Sequence, residues 1–384
     1  MDPSRDWSQL PKNLLNSVLG RLELLGDYLR FSIVCKPWYW VAKDNKNIFA
    51  TRQSCHPPPM LLINTDNEDT WKVYNVMDNK LLDMEVRLPN TRFCGSSKGW
   101  LIYVEKNNYA ITLVNPFFRV RGRREKQNSL IHLPPLLPPI NDFYRQHFDY
   151  LVHKVVISAD PLLNANECIV VVITEPFSQL AFIRLGKDST WTFVDWRHRA
   201  RGFCEVVFLE GKLYGVQCDN RVLSCEINSR FHSGLKIVAR SFLINWTKNY
   251  LVYLNEKGLL LVHRLIVKDE DGRPRTVKFV IYKLNFNKRK WIEINTLGDV
   301  ALFVGDNSSF SVTASSFRGC LPNSVYFSHD SNSQEEVLGA DGPHDFGVYD
   351  FENKRFLTID AVHVSTLAKL SKQPPIWIVP TFQL

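Results

Sequence analysis

Two clusters in the chain have the residue types that acid–base chemistry uses. Glu335 and Glu336 stand side by side, and Asp341, His344 and Asp345 fall within one short segment, "DGPHDF". Paired carboxylates facing the centre of a ring of β-sheets could serve as acid and base in glycoside hydrolysis. In an extended chain, however, adjacent side chains point to opposite faces, and the surrounding "HDSNSQEEV" is polar enough to read as a solvated loop. Asp-Gly-Pro is turn chemistry, and His344 and Asp345 have no third ligand at metal-binding spacing.

Other chemistries find less support. "GSSKGW", Gly95 to Trp100, lacks the spacing of a phosphate-binding loop and reads as a β-turn between strands. No G-x-G-x-x-G and no G-x-S-x-G occurs. The eight cysteines, Cys35, Cys55, Cys94, Cys168, Cys204, Cys218, Cys225 and Cys320, contain no C-x-x-C pair, so they read as buried free thiols. The expectation is a chain with no catalytic residue, no cofactor and no metal; a carbohydrate-active enzyme is the alternative.

A formal charge of +8 keeps an anionic partner in view. The densest basic run holds Arg119, Arg121, Arg123, Arg124 and Lys126. It follows "NPF", precedes a proline-rich segment and lacks interleaved aromatics, so it reads as a solvated inter-strand loop and nucleic acid is disfavoured. Charge there could still favour an acidic or phosphorylated protein target. No apolar run approaches the ~18 residues of a membrane span, and "MDPSRDW" lacks the basic and apolar regions of a signal peptide. A cytoplasmic or nuclear protein with no membrane partner is expected.

The elements that would position such residues fall into two regimes. From residue 7 to about 45 the apolar residues recur with helical spacing; from Met60 onward, about 20 short β-patterned runs alternate with Gly, Asn, Asp and Pro. The prolines of "SCHPPPM" separate them. In the first regime Pro11 suits a first helical turn, and Leu14, Leu15, Val18, Leu19 and Leu22 form one apolar stripe, read as one buried face. A second helix is expected from Gly26-Asp27 with Asp27 as its N-cap, apolar on two sides: Tyr28, Phe31, Val34 and Cys35 on one, Leu29 and Ile33 on the other. Pro37 then falls in the first turn of a third helix that runs through "WYWVA". Five aliphatic side chains are worth roughly 7–15 kcal/mol when buried. So small a unit needs another wall, supplied either by the chain's own body or by a partner.

The β-regime repeats a loose grammar. A tryptophan strand opens a unit at Trp71, Trp191 and Trp291, and strands such as "KGWLIYV" and "GKLYGV" follow a Gly-containing turn. Four-strand units of about 40–50 residues point to a β-propeller of about five to seven blades. "MLLIN" and the late "IWIVP" are natural partners for closing the ring. Near the end, "VHVSTLAKLSK" alone has helical periodicity.

The segment "WSQLPKNLLNSVLGRLELLGDYLRFSIVCKPWYWVA" resembles an F-box. The family order is Leu-Pro, a paired Leu-Leu, a spaced apolar helix, an Asp-Leu-Leu-Arg-like start, Val-Cys-Lys and Trp. Here those positions are Leu10-Pro11, Leu14-Leu15, Val18 to Leu22, Asp27-Tyr28-Leu29-Arg30, Val34-Cys35-Lys36 and Trp38. Tyr28 replaces a usual leucine, and Leu24-Leu25-Gly26 stands where a proline turn is common. From about Met60 to the C-terminus the chain also resembles the kelch-like C-terminal domain of plant F-box proteins, most densely over residues 276–382.

These resemblances imply a three-helix F-box at 5–48, a linker at 49–59 and a propeller receptor at 60–384. They imply the non-catalytic substrate-recognition subunit of an SCF ubiquitin ligase, docking on a Skp-type adaptor and through it on cullin and RING subunits. The adaptor-facing residues would come from Leu10, Pro11, Leu14, Leu15, Val18, Leu19, Leu22, Leu29, Val34, Cys35 and Trp38. A stand-alone propeller scaffold is the other alternative.

Overall fold

The computed structural model describes residues 7–22, 25–32, 34–52, 58–64, 70–87, 91–106, 108–116, 130–137, 151–162, 167–175, 177–194, 202–217, 221–227, 236–240, 247–254, 258–270, 272, 274–330, 345–357 and 374–380. Three helices come first: α1 (Lys12–Leu19), α2 (Leu25–Ser32) and α3 (Lys36–Arg52). Pro11 stands at the N-cap of α1 and Pro37 in the first turn of α3, the places where a missing N–H costs nothing. α2 starts earlier than the sequence indicates, so Asp27 lies within its first turn and is not its N-cap. Its carboxylate there still opposes the positive end of the helix. α3 runs four residues past the expected end of the helical unit.

The remaining chain is a six-bladed propeller. Blade 1 holds β1 (Met60–Asn64), β2 (Thr70–Asn75) and β3 (Lys80–Arg87); blade 2 holds β4 (Thr91–Ser97), β5 (Trp100–Glu105), β6 (Ile111–Val114) and β7 (Leu130–His132). Blade 3 holds β8 (Val152–Ile157), β9 (Ile169–Thr174), β10 (Gln179–Arg184) and β11 (Thr192–Phe193). Blade 4 holds β12 (Phe203–Leu209), β13 (Lys212–Gln217), β14 (Arg221–Glu226) and β15 (Lys236–Arg240). Blade 5 holds β16 (Thr247–Leu254), β17 (Gly258–Lys268), β18 (Pro274–Asn285) and β19 (Lys290–Ile294). Blade 6 holds β20 (Val300–Gly305), β21 (Ser308–Thr313), β22 (Ser324–Phe327), β23 (Gly347–Asp350) and β24 (Arg355–Leu357), with β20 and β22 parallel.

The last strand, β25 (Ile376–Ile378), returns to blade 1 and pairs antiparallel with β1, placing Met60 opposite Ile378 and Leu62 opposite Ile376. This is the closure that the two apolar end segments implied. β4, β8, β12, β16, β21 and β25 lie side by side around the axis and form the inner ring. Apolar clusters fill each of the gaps between neighbouring blades, which is why the middle strands read as unbroken apolar runs. Trp100, Trp71 and Trp377 are wholly buried in these gaps.

Two parts of the sequence grammar need correction. Trp71 lies on β2, Trp191 just before β11 and Trp291 on β19, so these tryptophans sit in the outer half of their blades and do not open them. "GSSKGW" is the β4–β5 hairpin, with Lys98 and Gly99 both at positive φ (52° and 80°). That is the turn whose twist matches its flanking strands.

Candidate functional site

The helical unit has a core of its own. Leu15, Leu19, Tyr28, Phe31, Val41 and Ala42 are buried together, with Leu10, Leu22 and Trp38 packed partly against them. Tyr28 explains its own substitution: its hydroxyl donates to the Ala42 carbonyl at 2.6 Å, an anchor a leucine lacks. Burial holds that phenol well above the usual tyrosine range. Trp38 stacks at a tilt on Phe31, 4.6 Å between ring centres, and its indole N–H donates to the Trp7 carbonyl at 2.9 Å. The Lys12–Asp44 ion pair (2.7 Å) and a hydrogen bond from the Asn45 side-chain amide to the Asn16 side-chain oxygen (2.9 Å) tie α1 to α3.

The apolar stripe of α1 is therefore not one buried face. Leu15 and Leu19 point inward, whereas Leu14 is 48% exposed and Val18 40%. Val34, just beyond α2, is 52% exposed, and Pro11 is exposed as well. Of the residues expected to meet an adaptor, Leu15 and Leu19 are interior; Leu10, Leu22, Cys35 and Trp38 are half-buried; Pro11, Leu14, Val18 and Val34 are free to meet another surface. The side chain of Leu29 lies outside the described residues, as does Ile33. Sequence reasoning missed Trp7 and Trp40, which are 63% and 54% exposed, Trp40 lying under the Lys43 ammonium. Their signal was present: large aromatics off the stripe of a short amphipathic unit.

The propeller axis carries a second polar constellation. Lys154 on β8 and Glu205 on β12 form a buried ion pair at 2.6 Å, and Ser309 on β21 bonds to both, at 3.2 and 3.0 Å. Inner strands of blades 3, 4 and 6 are thus bridged across the ring. Such a buried pair is costly to break.

A third cluster joins blades 5 and 6 around Arg264 of β17, whose side chain is wholly buried. Its guanidinium reaches Asp345 at 2.8 Å, Asp330 at 3.2 Å, the Thr276 hydroxyl at 2.7 Å and the Ser328 carbonyl at 2.8 Å. The Tyr250 hydroxyl bonds Asp330, and Lys248 pairs with Asp306 nearby. Burial alone would lower the Arg264 pKa, but Tyr250, Asp330 and Asp345 outweigh it and hold the charge. Burial, and then Asp306, raise the pKa of Asp330 against the pull of Arg264 and Lys248. Asp345, one of the candidate acids, is thus occupied as an anchor for Arg264 and Thr276. Glu335, Glu336, Asp341, His344, the basic run from Arg119 to Lys126, and the helical "VHVSTLAKLSK" lie outside the described residues. Cys94, Cys168, Cys225 and Cys320 are buried free thiols, while Cys35 and Cys204 are half-buried; Cys55 and Cys218 lie outside the described residues.

The chain thus joins a helical unit with an outward apolar surface to a propeller whose ring closes through its last strand. The KIB1-4 beta-propeller family model matches residues 73–350, and the chain belongs to that family. Curated relatives from Arabidopsis thaliana are named F-box proteins. The chain is 26% identical to F-box protein At2g26160, covering 84% of this chain and 95% of that one. It is 25% identical to F-box protein SKIP23 (97% and 95%) and 40% identical to F-box protein At2g17690 (88% and 94%).

Proposed function

We propose that this chain is the substrate-recognition subunit of an SCF-type ubiquitin ligase. The helices dock on a Skp-type adaptor, which links to cullin and RING subunits, and the propeller holds a target protein. The observation that carries this reading is the exposure of Leu14, Val18 and Val34 on a unit whose own core is already closed by Leu15, Leu19, Tyr28 and Phe31. Exposed aliphatic residues grouped on one small unit are the mark of an interaction surface. A helical cap packed on its own propeller would instead cover Leu14.

The chain's part in the chemistry is positional. Holding a target near a charged ubiquitin-conjugating enzyme raises its effective concentration at the reacting thioester, and that requires no catalytic residue here. The names of the curated relatives support the assignment. The test is co-purification of the full chain with a Skp-type adaptor and a cullin. The reading predicts a stable assembly that Leu14→Asp with Val18→Asp abolishes; an unaltered assembly would contradict it.

A further inference from the structure

The β18–β19 hairpin at the outer edge of blade 5 concentrates positive charge among the described residues. Lys283, Lys288, Arg289 and Lys290 fall within eight residues, all exposed, and no carboxylate occurs from Ile281 to Ile292. Among them Phe286 is 41% and Ile292 49% exposed. Ile292 pairs directly across the ladder with Lys283, and Lys290 with Asn285, so these four share one face. Trp291 and Leu284 turn the other way, into the gap between blades 4 and 5. Glu293, the first acid reached, stands opposite Tyr282 on that other face.

We infer that this hairpin is a docking site for an extended acidic peptide segment of a partner protein, one carrying an aliphatic side chain among its carboxylates. Lysine on an edge strand is, by itself, a common guard against edge-to-edge pairing. Exposed Ile292 is the opposite of such a guard, because it invites contact where lysine repels it. Four like charges on one hairpin repel one another, and an acidic partner removes that repulsion while steering its own approach. Among the described residues β19 is the outermost strand of its sheet, so its outward backbone groups are placed to meet an extended chain. A single-stranded nucleic acid would meet the same charge, but it binds through stacking on aromatic faces, and the hairpin's one partly exposed ring, Phe286, already packs edge-on against Tyr214 of blade 4 at 6.0 Å. This inference concerns the propeller and does not depend on what the helices bind.

The experiment is fluorescence anisotropy on the full chain with a labelled peptide of alternating glutamate and valine. The wild type should bind it, and Lys283→Glu with Lys290→Glu should weaken it by about tenfold or more and gain binding to the matching lysine–valine peptide. Ile292→Ser should weaken the glutamate–valine peptide and leave a glutamate–serine peptide unchanged. Lys283→Gln with Lys290→Gln provides the same test without charge reversal, and unchanged circular dichroism verifies each fold. No binding by the wild type, equal binding by the charge variants, or tighter binding of a single-stranded oligonucleotide of equal charge would overturn the inference.

Discussion

Leu14 and Leu15 are neighbours in the chain and have opposite fates: Leu15 is 1% exposed inside the helical core, and Leu14 is 48% exposed on its surface. The pair separates folding from recognition. Leu15→Ala should cost the helical unit about 2–5 kcal/mol, whereas Leu14→Asp should leave its stability within about 0.5 kcal/mol. Urea unfolding followed by the tryptophans of α3 measures both.

Closure of the ring rests on very few residues. β25 is three residues long, yet Trp377 packs edge-on to Phe303 at 5.1 Å and is wholly buried between blades 6 and 1. Removing residues 374–384 exposes β1 and opens the ring, so the propeller should lose its cooperative thermal transition. Trp377→Ala should lower stability by about 3–5 kcal/mol. A truncated chain that melts like the full one would show that the ring holds without β25.

Arg264 pins two segments of blade 6 at once through Asp330 and Asp345. Arg264→Ala would leave Asp345 without its ion-pair partner and Asp330 with only the Lys248 cation nearby, and about 3–5 kcal/mol of stability should be lost. Arg264→Lys should recover only part of this, because an ammonium cannot reproduce the planar fork that reaches Asp345, Thr276 and Ser328 together. Chemical denaturation of the three proteins orders them.

His263 lies beside Arg264, wholly buried against Tyr282, and burial lowers its pKa from 6.5 to about 4. The folded chain therefore refuses a proton that the unfolded chain accepts. Stability from this residue is complete above pH 6.5 and is lost as pH falls from there toward 4, at up to about 1.4 kcal/mol per unit. Asp330, whose pKa burial raises, acts in the opposite sense. The difference between wild type and His263→Phe isolates the histidine: the variant should be less sensitive to acid across that window.

Burial pushes the thiol of Cys168 up to about 11 and those of Cys94, Cys225 and Cys320 up to about 12. Each stays protonated at neutral pH and shielded from reagent. Mass spectrometry after brief alkylation should find these four unmodified in the native protein and modified in urea.

The legibility of the fold follows from where the apolar residues fall. Strands buried on both sides, such as Ile169–Thr174 and Val300–Gly305, were plain as apolar runs, and the ring-closing pair could be named from its two ends. The inner strands β4, β8, β12 and β21 were harder to see because one side faces the axis. Ser96, Lys154, Glu205 and Ser309 interrupt their apolar pattern at those inward positions. The Arg264 cluster was invisible for another reason: its partners lie 12 to 81 residues away in the chain. The helical unit was legible as a motif, but its division into interior and outward residues was not. A stripe about 140° wide covers both the core-facing side chains and those at its margin, and only packing against α3 shows which are which.

The most direct test of the central claim is calorimetric titration of a purified Skp-type adaptor into the full chain, its Leu14→Asp variant and its Trp71→Phe variant. The account predicts tight binding by the wild type and by Trp71→Phe, whose change lies deep in the propeller, and at least a tenfold loss for Leu14→Asp with its melting temperature unchanged. Equal adaptor affinity in the wild type and in Leu14→Asp, or none in the wild type, would contradict it.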